Sequence, residues 1–171
     1  AASLSLLADN KFFELAATGG AAFVSGSGSN AKSLAGAFSF NQVEATQLAY
    51  VVDTDLQLGG ALQLQARRSG DLVSLSAGLA AATTQDSISV AGSVAINLVY
   101  NDSQAYLWGV DGGVGGNLTA DASDDSRIIA VGGGVAYGGK AGVGLGVGAN
   151  ILGSDQRENI TRAAILHSNL T

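Results

Sequence analysis

The segment Ala91-Gly92-Ser93-Val94-Ala95-Ile96-Asn97 decides the fold, because it recurs. It stands 56 residues after Ala35-Gly36-Ala37-Phe38-Ser39-Phe40-Asn41. The same shift pairs Ala49-Tyr50 with Ala105-Tyr106, Gly59-Gly60 with Gly115-Gly116, and Leu62 with Leu118. It also sets the stretch from Leu72 to Ala80 against that from Ile128 to Ala136. The first copy joins through Glu14 to Ala22, with Gly20 lying 58 residues before Gly78. The third places Asn150 opposite Asn97, at 53 residues, and Ala163-Ala164-Ile165 where Ala105-Tyr106-Leu107 stood. The chain therefore reads as about three copies of one unit of ~56 residues, near 4–61, 62–117 and 118–171, in a single repeat-built domain.

Within a unit the period is two. Val94, Ile96 and Leu98 alternate with Ser93, Ala95 and Asn97, and Leu118, Ala120 and Ala122 with Thr119, Asp121 and Ser123. Helix formers at three-and-four spacing are scarce, so this is strand patterning with one face turned inward. Four strands per unit are expected, near Gln104–Val110, Asn117–Ser123, Arg127–Tyr137 and Ala141–Leu152. Length differences between copies fall at Phe23–Lys32, Thr83–Ser87 and Gly138–Lys140, and again at Gly153–Asn159 opposite Tyr100–Ser103. Insertions are tolerated where backbone is solvated, so these segments are expected to be turns. Charges such as Asp124-Asp125 are placed between strands on the same ground.

Many inward positions are Gly, Ala or Ser, as in the run from Ala141 to Ala149. Glycine weakens a strand unless something compensates. Two compensations are close approach of two sheet faces and stacking of equivalent residues along an axis. Both occur in a parallel β-solenoid, where each unit buries its face against its neighbours. The fold expected is all-β, a parallel β-solenoid (right-handed β-helix). Coil size stays open between one large flattened coil, two medium coils, or three of roughly 19 residues.

Composition narrows the function. The 171 residues are 47% hydrophobic and 13% charged, with net charge −6, which argues against nucleic acid and anionic membrane as partners. With 25 Gly and no Pro, neither collagen nor a Pro-rich linker fits. Absence of Cys excludes disulfides and thiolate metal sites. No apolar run is long enough for a transmembrane helix, and the N-terminus lacks signal-peptide character. Without Met, the chain is expected to be a piece of a longer or processed one. A membrane barrel would carry aromatic girdles, which 6% aromatics and one Trp do not supply.

The segment Ala91-Gly92-Ser93-Val94-Ala95-Ile96-Asn97-Leu98-Val99-Tyr100-Asn101, followed by Gln104-Ala105-Tyr106-Leu107, resembles repeat units of giant secreted proteins of Gram-negative bacteria. These are the leukotoxin-like autotransporters and filamentous-haemagglutinin-like adhesins, with units of the form AG-x-V-A-V-N-x-x-x-N…(T/A)-A-x-I. The first copy departs by carrying Phe38 and Phe40, and the third by its Gly content and the longer insertion before Ala163. The resemblance implies a long β-helical passenger exported through an outer-membrane pore and displayed at the cell surface. No catalytic residue is carried over.

Individual motifs favour structure. Gly144-x-Gly146-x-x-Ala149 loosely matches a dinucleotide fingerprint but aligns with strand and leads into Asn150, not a helix. Gly112-Gly113-Val114-Gly115-Gly116-Asn117 resembles a calcium-binding nonapeptide, but it is a single copy with Asn in the Asp place. Asp121, Asp124 and Asp125 are the densest acidic group, read as a solvated turn. His167 is expected in a turn, and Arg67-Arg68 in another before Gly70. Asn-x-Ser/Thr sequons stand at Asn101, Asn117, Asn159 and Asn169, the first three expected in or beside turns. Asn41, Asn97 and Asn150 recur at equivalent points, where stacked amides can form a ladder, and Tyr50 and Tyr106 are expected to stack likewise.

The function expected is a non-catalytic rod or stalk segment of a secreted adhesin, extracellular and at the cell surface, without cofactor or metal. Its partners would be further copies of its own repeat, with host-cell or surface ligands assigned to other parts of the parent chain. Nucleic acid and membrane insertion of this segment are excluded from the expectation. The alternative is a subunit of a self-assembling extracellular filament or matrix. A polysaccharide-lyase-type enzyme would need Asp clustered with Arg or Lys on one sheet face, which the scattered Arg67, Arg127 and Arg162 do not provide.

Overall fold

Two 21-residue strands and one short strand make up each complete turn of the chain. The structure is a computed structural model and describes residues 2–26 and 30–171. The first turn is β1 (Leu4–Val24), β2 (Lys32–Val52) and β3 (Asp55–Leu58). The second is β4 (Leu62–Ala82), β5 (Ile88–Trp108) and β6 (Asp111–Val114). The third is β7 (Leu118–Gly138), β8 (Ala141–Leu152), β9 (Ile160–Leu166) and β10 (Asn169–Leu170). Every ladder between turns is parallel. The sheets are β1-β4-β7, β2-β5-β8 with β9 also on β5, and β3-β6-β10. The architecture is therefore a parallel β-solenoid of three rungs, and its sheets do not close into a barrel.

One repeat is one large flattened coil. Ladder partners include Gly20↔Gly78, Gly78↔Gly134, Asn41↔Asn97 and Asn97↔Asn150. The long strands of a rung run out and back as two blades, and the short strand closes the wide end. There Leu62, Leu64, Ala66, Ala105, Leu107 and Val110 form the main apolar core, with Leu56, Leu58 and Val114 packed against it. At the far end the blades nearly touch around Ala35, Ala80 and Ala91. A Cβ built on Gly78 would lie 2.6 Å from the Gly92 carbonyl oxygen, and one on Gly148 2.6 Å from that of Ala130. Cβ atoms on Gly142, Gly144 and Gly146 would meet the carbonyls of Ala136, Gly134 and Gly132 more closely still. Close approach of the two faces is thus the compensation for inward glycine.

Three local expectations are corrected. Asn117–Ser123 and Arg127–Tyr137 are not separate strands but one, β7, and Gln104–Val110 is mostly the end of β5. Tyr100–Ser103, Asp124-Asp125 and Arg67-Arg68 lie inside strands, not in turns. The reason is that a long blade keeps one face in water, so outward charges need no break in the ladder, and an inward charge can sit near an opposite one on the next rung, as Arg68 does near Asp124. Asn101 is accordingly a buried strand residue, not a turn sequon. Thr83–Ser87, Gly138–Lys140 and Gly153–Asn159 do contain the connections. Ser87 Oγ accepts the Gly139 amide at 2.8 Å, tying two of these connections together. Of Phe23–Lys32, residues 27–29 lie outside the described residues.

Candidate functional site

Polar residues line the interior from beside the apolar wide end to the glycine-rich tip. Odd-numbered residues of β2 and β5 point inward, which sets Asn41, Asn97 and Asn150 in one column. Asn41 Nδ2 donates to Asn97 Oδ1 at 2.8 Å, and Asn97 Nδ2 donates to Asn150 Oδ1 at 2.9 Å. Asn97 Nδ2 also reaches the Ile129 carbonyl at 3.1 Å, and Asn150 Nδ2 that of Ile128 at 3.2 Å. The amides thus tie three rungs to one another and one blade to the other. Tyr50 and Tyr106 stack on the outside of the same sheet, ring centroids 5.4 Å apart and 10° from parallel. Ser74 donates to Ser39 at 2.9 Å, and Ser93 to the Ser76 carbonyl at 2.7 Å.

One rung is broken. β8 ends at Leu152 opposite Val99, and β9 resumes at Ile160 opposite Asp102. Tyr100 and Asn101 are left without ladder partners above them, and the Gly153–Asn159 loop stands outside. Asn159 Oδ1 accepts the Asn101 amide at 2.7 Å, replacing the missing strand carbonyl. Gly153, at φ 70°, donates to the Val99 carbonyl at 2.9 Å. Arg157 reaches two rungs down to pair with Glu44, and its guanidinium lies 5.5 Å from the Tyr100 ring centre. Glu44, Tyr100, Asn101, Asp102, Arg157 and Glu158 line a cleft of about 270 Å³. It joins carboxylates to one arginine already paired, a polar surface suited to hydrogen bonding.

Behind this break lies a buried arginine. Arg68 is 1% exposed, in ladder register with Asp124 of the next rung, and its guanidinium lies 4.5 Å from the Phe12 ring centre. Burial pushes its pKa below the ordinary arginine value, and the Asp124 carboxylate partly offsets this. Asp124 accepts in turn from Asn101 Nδ2, and its Oδ1 takes the Ser126 amide at 3.1 Å. Arg68 Nε and Nη1 and Asn101 Oδ1 have no hydrogen-bond partner among the described residues. Sequence reasoning missed this pair, although the repeat carried the signal. The shift that aligns Leu62 with Leu118 also aligns Arg68 with Asp124 and Asp71 with Arg127. The latter pair is bidentate at 2.9 and 3.0 Å on the outer face.

The remaining candidates are dispersed. Asp121 faces outward and pairs with Arg67 at 3.2 Å, while Asp124 faces inward, so the acidic group does not converge. Among the described residues no three His, Cys, Asp or Glu side chains are placed to hold a metal ion. Gly144, Gly146 and Ala149 lie within β8, and Gly112–Val114 within β6 ahead of a turn at 115–117. His167 sits in a turn at φ 51°, its ring 4.4 Å from that of Trp108. Asn117 and Asn159 are exposed, and Asn169 opens β10. No family model, curated protein or solved structure matches the chain.

Proposed function

We propose that this chain is a structural, non-catalytic segment of a large secreted adhesin, serving as part of a stalk on the surface of a Gram-negative cell. The observation that carries the reading is the parallel register of three rungs, kept on both sides of the break in the third, with the Asn41–Asn97–Asn150 ladder as its internal tie. A stack of this kind transmits length and stiffness, because each rung is fixed to the next by backbone and side-chain hydrogen bonds alike. Scale sharpens the proposal. A 21-residue strand spans ~70 Å, whereas three rungs stand only ~14 Å tall. Such a stack exceeds its own width only beyond ~15 rungs, so a stalk requires a parent chain of several hundred residues of similar repeats.

Immunogold labelling of intact source cells with antibody against the 171-residue chain tests the reading. Label standing off from the cell outline and lost on external protease treatment supports it. Label confined to permeabilised cells refutes it. A second reading, a self-assembling extracellular filament, is favoured by the open strand edges along β1–β2 and β7–β8, which can accept rungs from another copy. Electron microscopy of the purified chain separates the two, since growth into fibres with a 4.8 Å axial repeat belongs to the filament alone.

A further inference from the structure

Large side chains face outward over the narrow half of the blades, and Gly, Ala, Ser and Asn face inward. On the outside of the β2-β5-β8 sheet, four ladder columns read Leu34/Val90/Val143, Gly36/Gly92/Leu145, Phe38/Val94/Val147 and Phe40/Ile96/Ala149. No charge lies in these columns, and Phe38 and Leu145 are 60% and 63% exposed. Gly36 and Gly92 have open space where a Cβ would stand, so they form an axial trough between two apolar ridges. The trough is filled in the third rung by Leu145.

Bulk in the first and third rungs is reciprocal. Gly36 stands against Leu145, Phe38 against Val147, and Phe40 against Ala149, while the middle rung carries Gly92, Val94 and Ile96. A two-fold axis along the strand direction through the middle rung lays the first rung of one copy over the third of another. The larger residue then meets a smaller one in each of these three columns, Leu34 meets Val143 in the fourth, and Leu145 of each copy enters the trough of the other. The opposite sheet has this property only where Ala17 would meet Val131 and Ala21 would meet Val135. Elsewhere on it Leu15 would meet Ile129, Phe23 would meet Tyr137, and Gly19 would meet Gly133.

We infer that the outer face of the β2-β5-β8 sheet is a self-complementary interface for a second copy of this chain, packed face to face with antiparallel solenoid axes. The arrangement is isologous, as a two-fold contact must be. A lipid surface or an unrelated apolar protein would cover the face without using its rung-to-rung reciprocity. The loop at Gly153–Asn159 marks the rim, and the usual crossing of packed sheets by about 30° carries the two loops past each other. Four columns over three rungs cover ~26 by ~14 Å, or roughly 370 Å². That is below the ~800 Å² per partner of a standard stable interface. Pairing of the isolated chain is therefore weak, and it strengthens as similar rungs are added. The inference does not depend on the stalk reading.

The chain has no Cys, so single-cysteine variants report contacts cleanly. Gly92→Cys lies on the proposed axis, and Gly133→Cys lies on the other sheet's outer face, both with room for the side chain. With a short bismaleimide, Gly92→Cys is expected to yield covalent dimer at least ten-fold faster than Gly133→Cys. Adding Leu145→Asp should abolish that advantage, and adding Phe38→Asp, on a different rung, should do the same. Equal rates at the two positions overturn the inference. So does a Gly92→Cys rate indifferent to both aspartate variants, or one suppressed by uncharged phosphatidylcholine vesicles that take up the chain.

Discussion

Replacing Asn97 with alanine removes the middle link of the amide ladder and shows how much the ladder stabilises the stack. Asn97 is 0% exposed and takes part in three hydrogen bonds, from Asn41, to Asn150 and to the Ile129 carbonyl. At a net ~1 kcal/mol each, the loss is about 3 kcal/mol, including the stranded and largely buried Asn41 amide. Asn150→Ala removes its links at an exposed edge, where water replaces them, and should cost about 1 kcal/mol. Urea unfolding followed by circular dichroism and Trp108 fluorescence measures both. If Asn97→Ala costs no more than Asn150→Ala, the ladder is incidental and the reasoning fails. Asn97→Asp adds a pH signature. A carboxylate there would face the Asn150 and Ile129 oxygens while buried, so its folded pKa lies above the unfolded value of about 3.9. The neutral acid is then favoured by folding. The variant's deficit relative to the parent should be smallest below pH ~4 and deepen by ~1.4 kcal/mol per unit as pH rises toward the folded pKa. A deficit that shrinks with rising pH contradicts this account.

Other predictions follow from the two faces of the blade. Gly78→Val drives a side chain into the Gly92 carbonyl and should cost about 3 kcal/mol, whereas Gly92→Ala, with open space outside, should change stability by less than ~1 kcal/mol. Thermal melts of the two variants check the contrast, and equal losses would mean that the blades are not in close contact. Arg68→Met leaves Asp124 without its nearby positive charge and should destabilise by ~1–3 kcal/mol. Adding Asp124→Asn should recover most of that loss in a double-mutant cycle. Additive losses would show that the two groups are uncoupled. Arg157→Ala removes exposed contacts with Glu44 and with the Tyr100 ring and should shift unfolding by under ~1 kcal/mol. A larger shift in urea titration would mean that the Arg157 side chain, and not only Gly153 and Asn159, anchors the loop to the stack.

The repeat alone was enough to set like residues over like. The spacings read within strands, including the shorter step to Asn150 and the resumption at Ala163, are ladder registers in the folded protein, and Gly59-Gly60 lies against Gly115-Gly116 in the turns. Register was legible because each rung meets nearly the same environment as the next, so equivalent positions keep equivalent chemistry. Coil size was not legible. Whether Asp124-Asp125 or Tyr100–Ser103 breaks a strand depends on what lies across the blade, and alternation along one strand does not record that. Arg68 is an example, since its charge suggested a solvated turn until the opposite blade and Asp124 enclosed it.

The amino-acid sequence by itself determined strand, repeat and register, because these depend on neighbours along the chain and on the equivalent residue one repeat away. Only the tertiary structure decided that each repeat is one flattened coil, that close approach of its blades is what offsets the inward glycines, and that the large apolar side chains of the narrow half face out. Those choices rest on the distance between two blades. That distance is set by the bulk of residues that meet only when the whole coil has closed.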